Sequence, residues 1–273
     1  MRFNFEEEEL FYDITGSGHP LIILHAMGTD HVSMKAWLEP LFQDLEGFQR
    51  IYIDIPAHGQ STCNKVQSTE DMRRIILSFI DEVLGVKSFS LIGHSFGGYI
   101  AQGILSARGN QVAGICLLAP AIHLKERTLP DKVVRAKDEE SLASVSPDIR
   151  AAFETLLVYQ TKKNLGRFLE EVQPGRLLAD REFLQSNWRE QGYFFKETPF
   201  GNHSELEQSA LLICGKQDSV CGFKDYVFLL DIFQNMTFAV LDQAGHLMTI
   251  EKREMVQLLV NDWLRKMQET SGG

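Results

Sequence analysis

The run Gly93-His94-Ser95-Phe96-Gly97-Gly98 places a serine in the pattern Gly-x-Ser-x-Gly. An apolar stretch, residues 89–93, enters it and reads as a strand; a helix-like stretch, residues 98–107, leaves it. Small residues two before and two after the serine let a strand and a helix pack closely around a sharp, strained turn. Such a turn holds the serine hydroxyl at the end of the strand. The free N–H groups of the helix then point at the reacting centre. The chemistry this permits is nucleophilic attack by Ser95, provided that a base and an orienting group stand nearby. The pattern alone is common; the strand before it and the helix after it make it specific.

Eight histidines could supply the base. His19 lies in a turn cluster, and His25 ends a strand, where it would orient a loop. His94 flanks the serine and by strand alternation should point the opposite way. His31, His58, His123 and His203 fall in loop-like or cap-like stretches, where structural or exposed roles are expected. His246 differs. It follows an apolar stretch at 237–241 and the turn Asp242-Gln243-Ala244-Gly245. That puts it at the carboxyl end of a late strand, where open parallel sheets present their functional groups. Asp218, just past the stretch 211–214, is the expected orienting acid. Asp242 also lies past a strand end, but in the same turn as His246, where its side chain is expected to close an Asx turn. Acyl transfer also needs donors for the developing oxyanion. The expected donors are the backbone N–H groups of Met27, in the loop His25-Ala26-Met27-Gly28, and of Phe96.

These residues need a scaffold, and the apolar pattern describes one. Residues 10–15 alternate as in a strand, 16–20 form a turn cluster, and 21–25 read as a buried strand. Residues 34–45 have helical spacing and 51–55 read as a second buried strand. Ser68 with Asp71 three residues on resembles a capping box; Met72, Ile75, Ile76, Phe79, Ile80, Val83 and Leu84 then mark one helix face. Strands at 89–93 and 112–119 bracket the helix at 98–107. This alternation implies a parallel sheet with helices on both faces, an α/β fold. Residues 122–208 break the rhythm. They show no convincing buried strand and read as helices with charged faces, for example 148–160 and 164–172. Their aromatics, Trp188 and Tyr193 among them, are read as helix core, with some lining a pocket. The rhythm returns with strands at 211–214 and 237–241, a helix at 223–233 and a closing helix at 255–267. The tail, 269–273, is expected to be loose. The expected division is a sheet domain from residues 1–121 and 209–273, with a helical cap, 122–208, inserted.

Composition narrows the partners. With 44% apolar and 23% charged residues, the 273-residue chain is globular and not disordered. A net charge of −10 repels phosphate backbones and anionic lipid, so neither nucleic acid nor a membrane is expected as partner. Four cysteines without CxxC spacing suit neither a disulfide scaffold nor a zinc cluster. They point to a reducing, cytoplasmic location. The N-terminus runs into Glu6–Glu9 rather than an apolar leader. That glutamate run is expected as a solvated strand edge or turn. The partner expected is a small molecule, bound by a monomer or homodimer.

Taken together, the chain resembles the α/β-hydrolase-fold enzymes, specifically cap-bearing serine hydrolases of the esterase and C–C-bond hydrolase kind. The resemblance covers residues 10–120 and 210–267. It rests on Leu24-His25-Ala26-Met27-Gly28, Asp54-Ile55-Pro56-Ala57-His58-Gly59-Gln60-Ser61, the serine motif, Gly215-Lys216-Gln217-Asp218 and Ala244-Gly245-His246, in that order. It implies a mostly parallel eight-stranded sheet with helices on both faces and a helical cap. It maps nucleophile, acid and base onto Ser95, Asp218 and His246, and it implies no metal and no organic cofactor. The chain departs from the family pattern at Ala26, where glycine is usual, and at Cys221, where a proline is common nearby. Cys221 is read as a packed thiol. Serine at position 95 argues against the branches that use an aspartate nucleophile. The activity implied is hydrolysis of a small, mostly apolar carboxylic ester through an acyl-enzyme. Rival chemistries on the same triad are C–C hydrolysis of a vinylogous diketone, amide or lactone hydrolysis, and cofactor-free peroxidation. The C–C branch often has asparagine before the serine, and His94 there favours the ester. A reading of another class, a non-catalytic ligand-binding module on the same scaffold, would fit a degraded triad better than an intact one.

Overall fold

The apolar runs fold as strands because both of their faces find cover. The computed structural model describes residues 1–201 and 205–271. Its strands are β1 (Arg2–Phe5), β2 (Glu8–Thr15), β3 (His19–Leu24), β4 (Phe48–Ile53), β5 (Phe89–His94), β6 (Val112–Leu118), β7 (Ala136–Lys137), β8 (Tyr159–Gln160), β9 (Ser209–Gly215) and β10 (Met236–Leu241). Eight of them form one sheet in the order β1-β2-β4-β3-β5-β6-β9-β10. β2 runs antiparallel to both β1 and β4; the other pairings are parallel. The central strands are buried along nearly their whole length. That is why they read as continuous apolar runs instead of alternations.

Helices cover the sheet on both sides. One apolar cluster joins the sheet to α2 (Thr69–Val83) and α3 (Phe96–Arg108) through Met72, Ile76, Phe79, Ile100 and Ile104. A second joins it to α1 (His31–Leu38) and to a long closing helix, Arg253–Ser271, through Met34, Trp37, Val260 and Trp263. Ser68 caps α2: its Oγ accepts from the Asp71 N–H at 3.2 Å, and the Asp71 carboxylate accepts from the Ser68 hydroxyl at 2.7 Å. The return bond of this box comes from the Gln67 N–H rather than from that of Ser68.

Between β6 and β9 the chain forms α4 (Glu139–Ala143), α5 (Pro147–Leu156), α6 (Lys162–Glu171), α7 (Gln173–Leu178), α8 (Arg181–Gln185) and α9 (Trp188–Gly192). Leu142, Phe153, Leu157, Leu165, Phe168 and Val172 make a separate cluster here, seated on Leu247 and Ile250. Two further helices, α10 (Leu229–Ile232) and α11 (Met248–Glu251), precede α12, the closing helix.

Several expectations are corrected. The helix expected at 34–45 ends at Leu38, and a 3-10 turn, Glu39–Gln43, follows where Pro40 has no N–H to donate. The helix expected at 223–233 is a 3-10 turn, Lys224–Tyr226, followed by the single turn of α10. The helix expected at 148–160 stops at Leu156, because Tyr159 and Gln160 pair with β7. β1 went unread: only Phe3 of its four residues is buried. Glu8 of the glutamate run is buried, not solvated; it accepts from the Thr62 hydroxyl and the Lys65 N–H. The tail is helical through Ser271; Gly272, Gly273 and His203 lie outside the described residues. Among the described residues no helix is long and apolar enough to cross a membrane.

Candidate active site

The serine turn is built by close packing. A Cβ on Gly93 would lie 2.6 Å from the Gly97 carbonyl oxygen, and one on Gly97 would lie 2.4 Å from that of His25. Neither contact is sterically possible, so glycine at both positions lets β5, α3 and the loop after β3 converge. Ser95 itself takes φ 52° and ψ −114°, a strained state for a residue with a side chain. Strain of this kind costs about 1–3 kcal/mol and persists only where the surroundings enforce it. Here they do: the Ser95 N–H donates to Leu118, and its carbonyl accepts from Tyr99 and Ala121. α3 starts at Phe96, two residues earlier than its spacing suggests.

The structure brings Ser95, His246 and Asp218 together. Ser95 Oγ lies 2.9 Å from His246 Nε2, and His246 Nδ1 lies 2.9 Å from Asp218 Oδ2. Asp218 is fully buried, and its other oxygen accepts from the N–H groups of Val220 (2.8 Å) and Cys221 (3.0 Å). Burial alone would raise this carboxyl, but His246 and the two N–H donors hold it below the ordinary carboxylate value. Burial likewise opposes an imidazolium at His246, and the Asp218 carboxylate outweighs it, so His246 lies above its usual value. Asp242 plays no part here. It is exposed, and its carboxylate accepts from Gln217 Nε2 at 2.8 Å. Gln217 in turn accepts from the Ala244 N–H, which ties the aspartate loop to the histidine loop.

The histidine loop is held from several sides. The His246 N–H donates to Leu156 of α5, and the Gly245 N–H donates to the Glu251 carboxylate. The other Glu251 oxygen accepts from Val158 and Tyr159, both at 2.7 Å. One half-buried carboxylate thus ties the segment after α5 to the loop that carries His246, and its partial burial raises its pKa. His94 does not point away from the site. Its Nε2–H donates to the His246 carbonyl at 3.2 Å. Burial, with His246 beside it, pushes the His94 imidazole down to about 3, so it stands there neutral.

The loop after β3 is equally fixed. His25 Nδ1–H donates to the Ala26 carbonyl, and His25 Nε2 accepts from Ile55. The Ala26 carbonyl also accepts from Thr29, through both its N–H and its hydroxyl. Ala26 does not take a positive φ, so its Cβ causes no backbone strain; Gly28, at φ 72°, makes the left-handed turn. Met27 and Phe96 both line the cavity over Ser95. Among the described residues, neither of their N–H groups donates to another protein group. Asp54 braces this region by accepting from the His31 N–H and ring, both at 2.8 Å, and from Gln60.

The cavity measures about 420 Å³. Its apolar lining includes Met27, Leu156, Val172, Tyr193, Val220 and Leu247, and Arg127, Arg176 and Arg189 also reach it. Trp188 does not line it. Trp188 stacks on Phe183 and meets the Phe96 ring in a T-shaped contact, with 5.9 Å between centroids. Cys221 is a buried, packed thiol of the core cluster, as expected, and it also lines the cavity. Ligand atoms of Asp218, Cys221 and His246 lie within 4.8 Å of one another, a donor set of the kind that holds metals. Both ring nitrogens of His246 and both oxygens of Asp218 are already engaged in the hydrogen bonds above. Sequence reasoning missed Glu251, the bracing role of His94 and the three arginines. No local pattern marks any of them.

The chain resembles characterised proteins along nearly its whole length. It is 23% identical to the Homo sapiens monoacylglycerol lipase, over 97% of this chain and 82% of that protein. It is 22% identical to the pimeloyl-[acyl-carrier protein] methyl ester esterase of Shewanella woodyi, over 94% and 98% of the two chains. The solved alpha/beta superfamily hydrolase from Oenococcus oeni PSU-1 superposes with a TM-score of 0.84 at 24% identity, covering 98% and 99%. Residues 19–253, well over half of the sequence, match the alpha/beta hydrolase fold family, and the chain belongs to that family.

Proposed function

We propose that the protein is a serine hydrolase that cleaves a small carboxylic ester through an acyl-enzyme. His246 Nε2 takes the Ser95 proton as Oγ attacks the ester carbonyl. The Met27 and Phe96 N–H groups receive the oxyanion. Asp218 holds the His246 tautomer and stabilises the imidazolium, which then gives its proton to the leaving alcohol. Water, activated by the same imidazole, attacks the acyl-enzyme and frees the acid. The observation that carries this reading is the unbroken relay from Ser95 through His246 to Asp218, with 2.9 Å at each step. The strained Ser95 backbone and the two unengaged N–H groups support it. So does the family, with its esterase and lipase relatives.

A fluorophosphonate probe and a panel of p-nitrophenyl esters test it, with a vinylogous diketone beside them. Wild-type protein should take one label and turn over short esters. Ser95→Ala should lose the label and reduce turnover by several orders of magnitude, about a millionfold in the serine protease subtilisin. Turnover of the diketone but of no ester would move the reading to C–C hydrolysis. A folded protein that takes no label and turns over nothing would leave a ligand-binding module.

A further inference from the structure

The three arginines that reach the cavity are not equivalent. Arg176 is engaged: it donates to Gln173 at 2.7 Å and pairs with Asp148 at 3.2 Å. Arg127 and Arg189 pair with no carboxylate among the described residues. The polar contact of Arg127 is the Cys221 sulfur at 3.5 Å, and that of Arg189 is the Met27 thioether. Sulfur is a weak acceptor, so most donors of both forks remain unused. Other arginines of this chain do both. Arg50, Arg73, Arg108, Arg150 and Arg253 each meet a carboxylate. Arg167 donates to the Ile250 carbonyl and pairs with no carboxylate among the described residues.

A chain with 37 acidic and 27 basic residues has carboxylates to spare. What marks out Arg127 and Arg189 is their place: both line the cavity that holds Ser95. They share one part of the cavity. Cys221 lies next to His246, so Arg127 stands on the His246 side. Arg189 stands over Met27, and both guanidiniums act on the same Tyr193 phenol in the cavity lining. Two free forks at one cavity fit an anionic oxygen group, which guanidinium binds in a planar, bidentate way. In a molecule of net charge −10, such a positive spot also focuses anions where the rest of the surface repels them.

We propose that Arg127 and Arg189 recognise an anionic oxygen group, carboxylate or phosphate, carried by the substrate away from its scissile bond. The substrate would then have a hydrocarbon body, facing Leu156, Val172, Val220 and Leu247, and one charged end. This inference rests on the esterase reading of Ser95, and it replaces a wholly apolar substrate with an amphipathic one.

Matched ester pairs test it. One pair is p-nitrophenyl hydrogen glutarate against p-nitrophenyl valerate. The others are 4-acetoxybenzoate and 4-acetoxyphenyl phosphate, each against 4-methylphenyl acetate. The charged member of at least one pair should have a kcat/KM about tenfold higher, and added salt should shrink that ratio. The pair that responds tells carboxylate from phosphate and the acyl side from the alcohol side. Arg127→Gln and Arg189→Gln should each lower the ratio about tenfold, Lys at either position should restore part of it, and Arg265→Gln on α12 should leave it unmoved. Equal rates within every pair, or a ratio untouched by both glutamine variants, would overturn the proposal while leaving the esterase reading intact. Calorimetry of glutarate and of inorganic phosphate against wild type and both glutamine variants gives a second readout. If Ser95 takes no label and no ester turns over, arginine-dependent anion binding would still support the proposal. Its absence would overturn it.

Discussion

Replacing Asp218 with asparagine changes one oxygen to an NH₂ group in a fully buried place, and the surroundings dictate how the amide must sit. In the wild type one carboxylate oxygen accepts from Val220 and Cys221, and the other accepts from His246 Nδ1. Asparagine has one acceptor. If its oxygen faces Val220 and Cys221, both of those bonds survive and the NH₂ group faces His246. If it turns over, the NH₂ group meets two N–H donors, and buried donors left without partners cost about 1–3 kcal/mol each. The first arrangement therefore wins. It forces His246 Nδ1 to accept, which moves the imidazole proton to Nε2, where it can no longer take the proton of Ser95. The same change of orienting aspartate in a serine protease costs about 10⁴ in kcat. At 1.36 kcal/mol per tenfold, that is about 5.4 kcal/mol of transition-state stabilisation. The assay is kcat on a p-nitrophenyl ester, normalised to folded protein by near-ultraviolet circular dichroism. Asp242→Asn is the comparison. Its side chain is 60% exposed and accepts from Gln217 through an oxygen that asparagine keeps, so the loss should stay within about threefold. An Asp218→Asn variant within tenfold of wild type, or a larger loss at position 242, would refute the tautomer argument and remove Asp218 from the mechanism.

The pH profile follows from the same pair. His246 lies above its ordinary 6.5, and only the neutral ring accepts a proton, so kcat/KM on a neutral ester should rise with pH through a midpoint above 6.5. That midpoint should fall in Asp218→Asn; a wild-type midpoint at or below 6.5 speaks against the pairing. The stability contributed by the pair should be lost as pH falls through the lowered Asp218 value and also as pH rises through the raised His246 value, which urea midpoints against pH can read. Gly97→Ala drives a Cβ into two backbone carbonyls, so unfolding in urea should show a loss of about 1–3 kcal/mol; an unchanged midpoint would mean that the turn yields freely. Glu251→Gln cannot accept from Gly245, Val158 and Tyr159 together, and it should cost about 1–3 kcal/mol and lower kcat by loosening the His246 loop. A variant as stable and active as wild type would show that this bridge is incidental.

Much of the scaffold is legible in the residues alone. Strands buried on both faces must be short apolar runs, and a parallel neighbour requires a crossover, so the strand–helix rhythm and an α/β sheet follow from composition and spacing. The serine turn is legible for the same reason: the strain and the close approach are local, and only glycine at 93 and 97 permits them. β1 escaped because one buried side chain in four residues leaves no pattern to read. The helix expected at 223–233 dissolved into two turns because helical spacing over a short stretch says little about which backbone bonds will close.

The site itself divides along the same line. Residue type and position past a strand end are sequence properties, and they single out Ser95, Asp218 and His246. Contact is not a sequence property. Ser95 and His246 are 151 residues apart, and His246 and Asp218 are 28 apart, yet each pair meets at 2.9 Å. The tertiary structure alone decides that His94 turns toward His246 and that Glu251 ties the histidine loop to the segment after α5. It also decides that Cys221, Arg127 and Arg189 face the cavity. In residues 122–208, α5 and α6 are amphipathic, with Phe153, Leu165 and Phe168 on their buried faces, but helical spacing does not say which element covers those faces. That choice is made by the packing of Leu142, Phe153 and Phe168 onto Leu247 and Ile250, contacts between segments about a hundred residues apart, where the energy of burial rather than local propensity selects the partner.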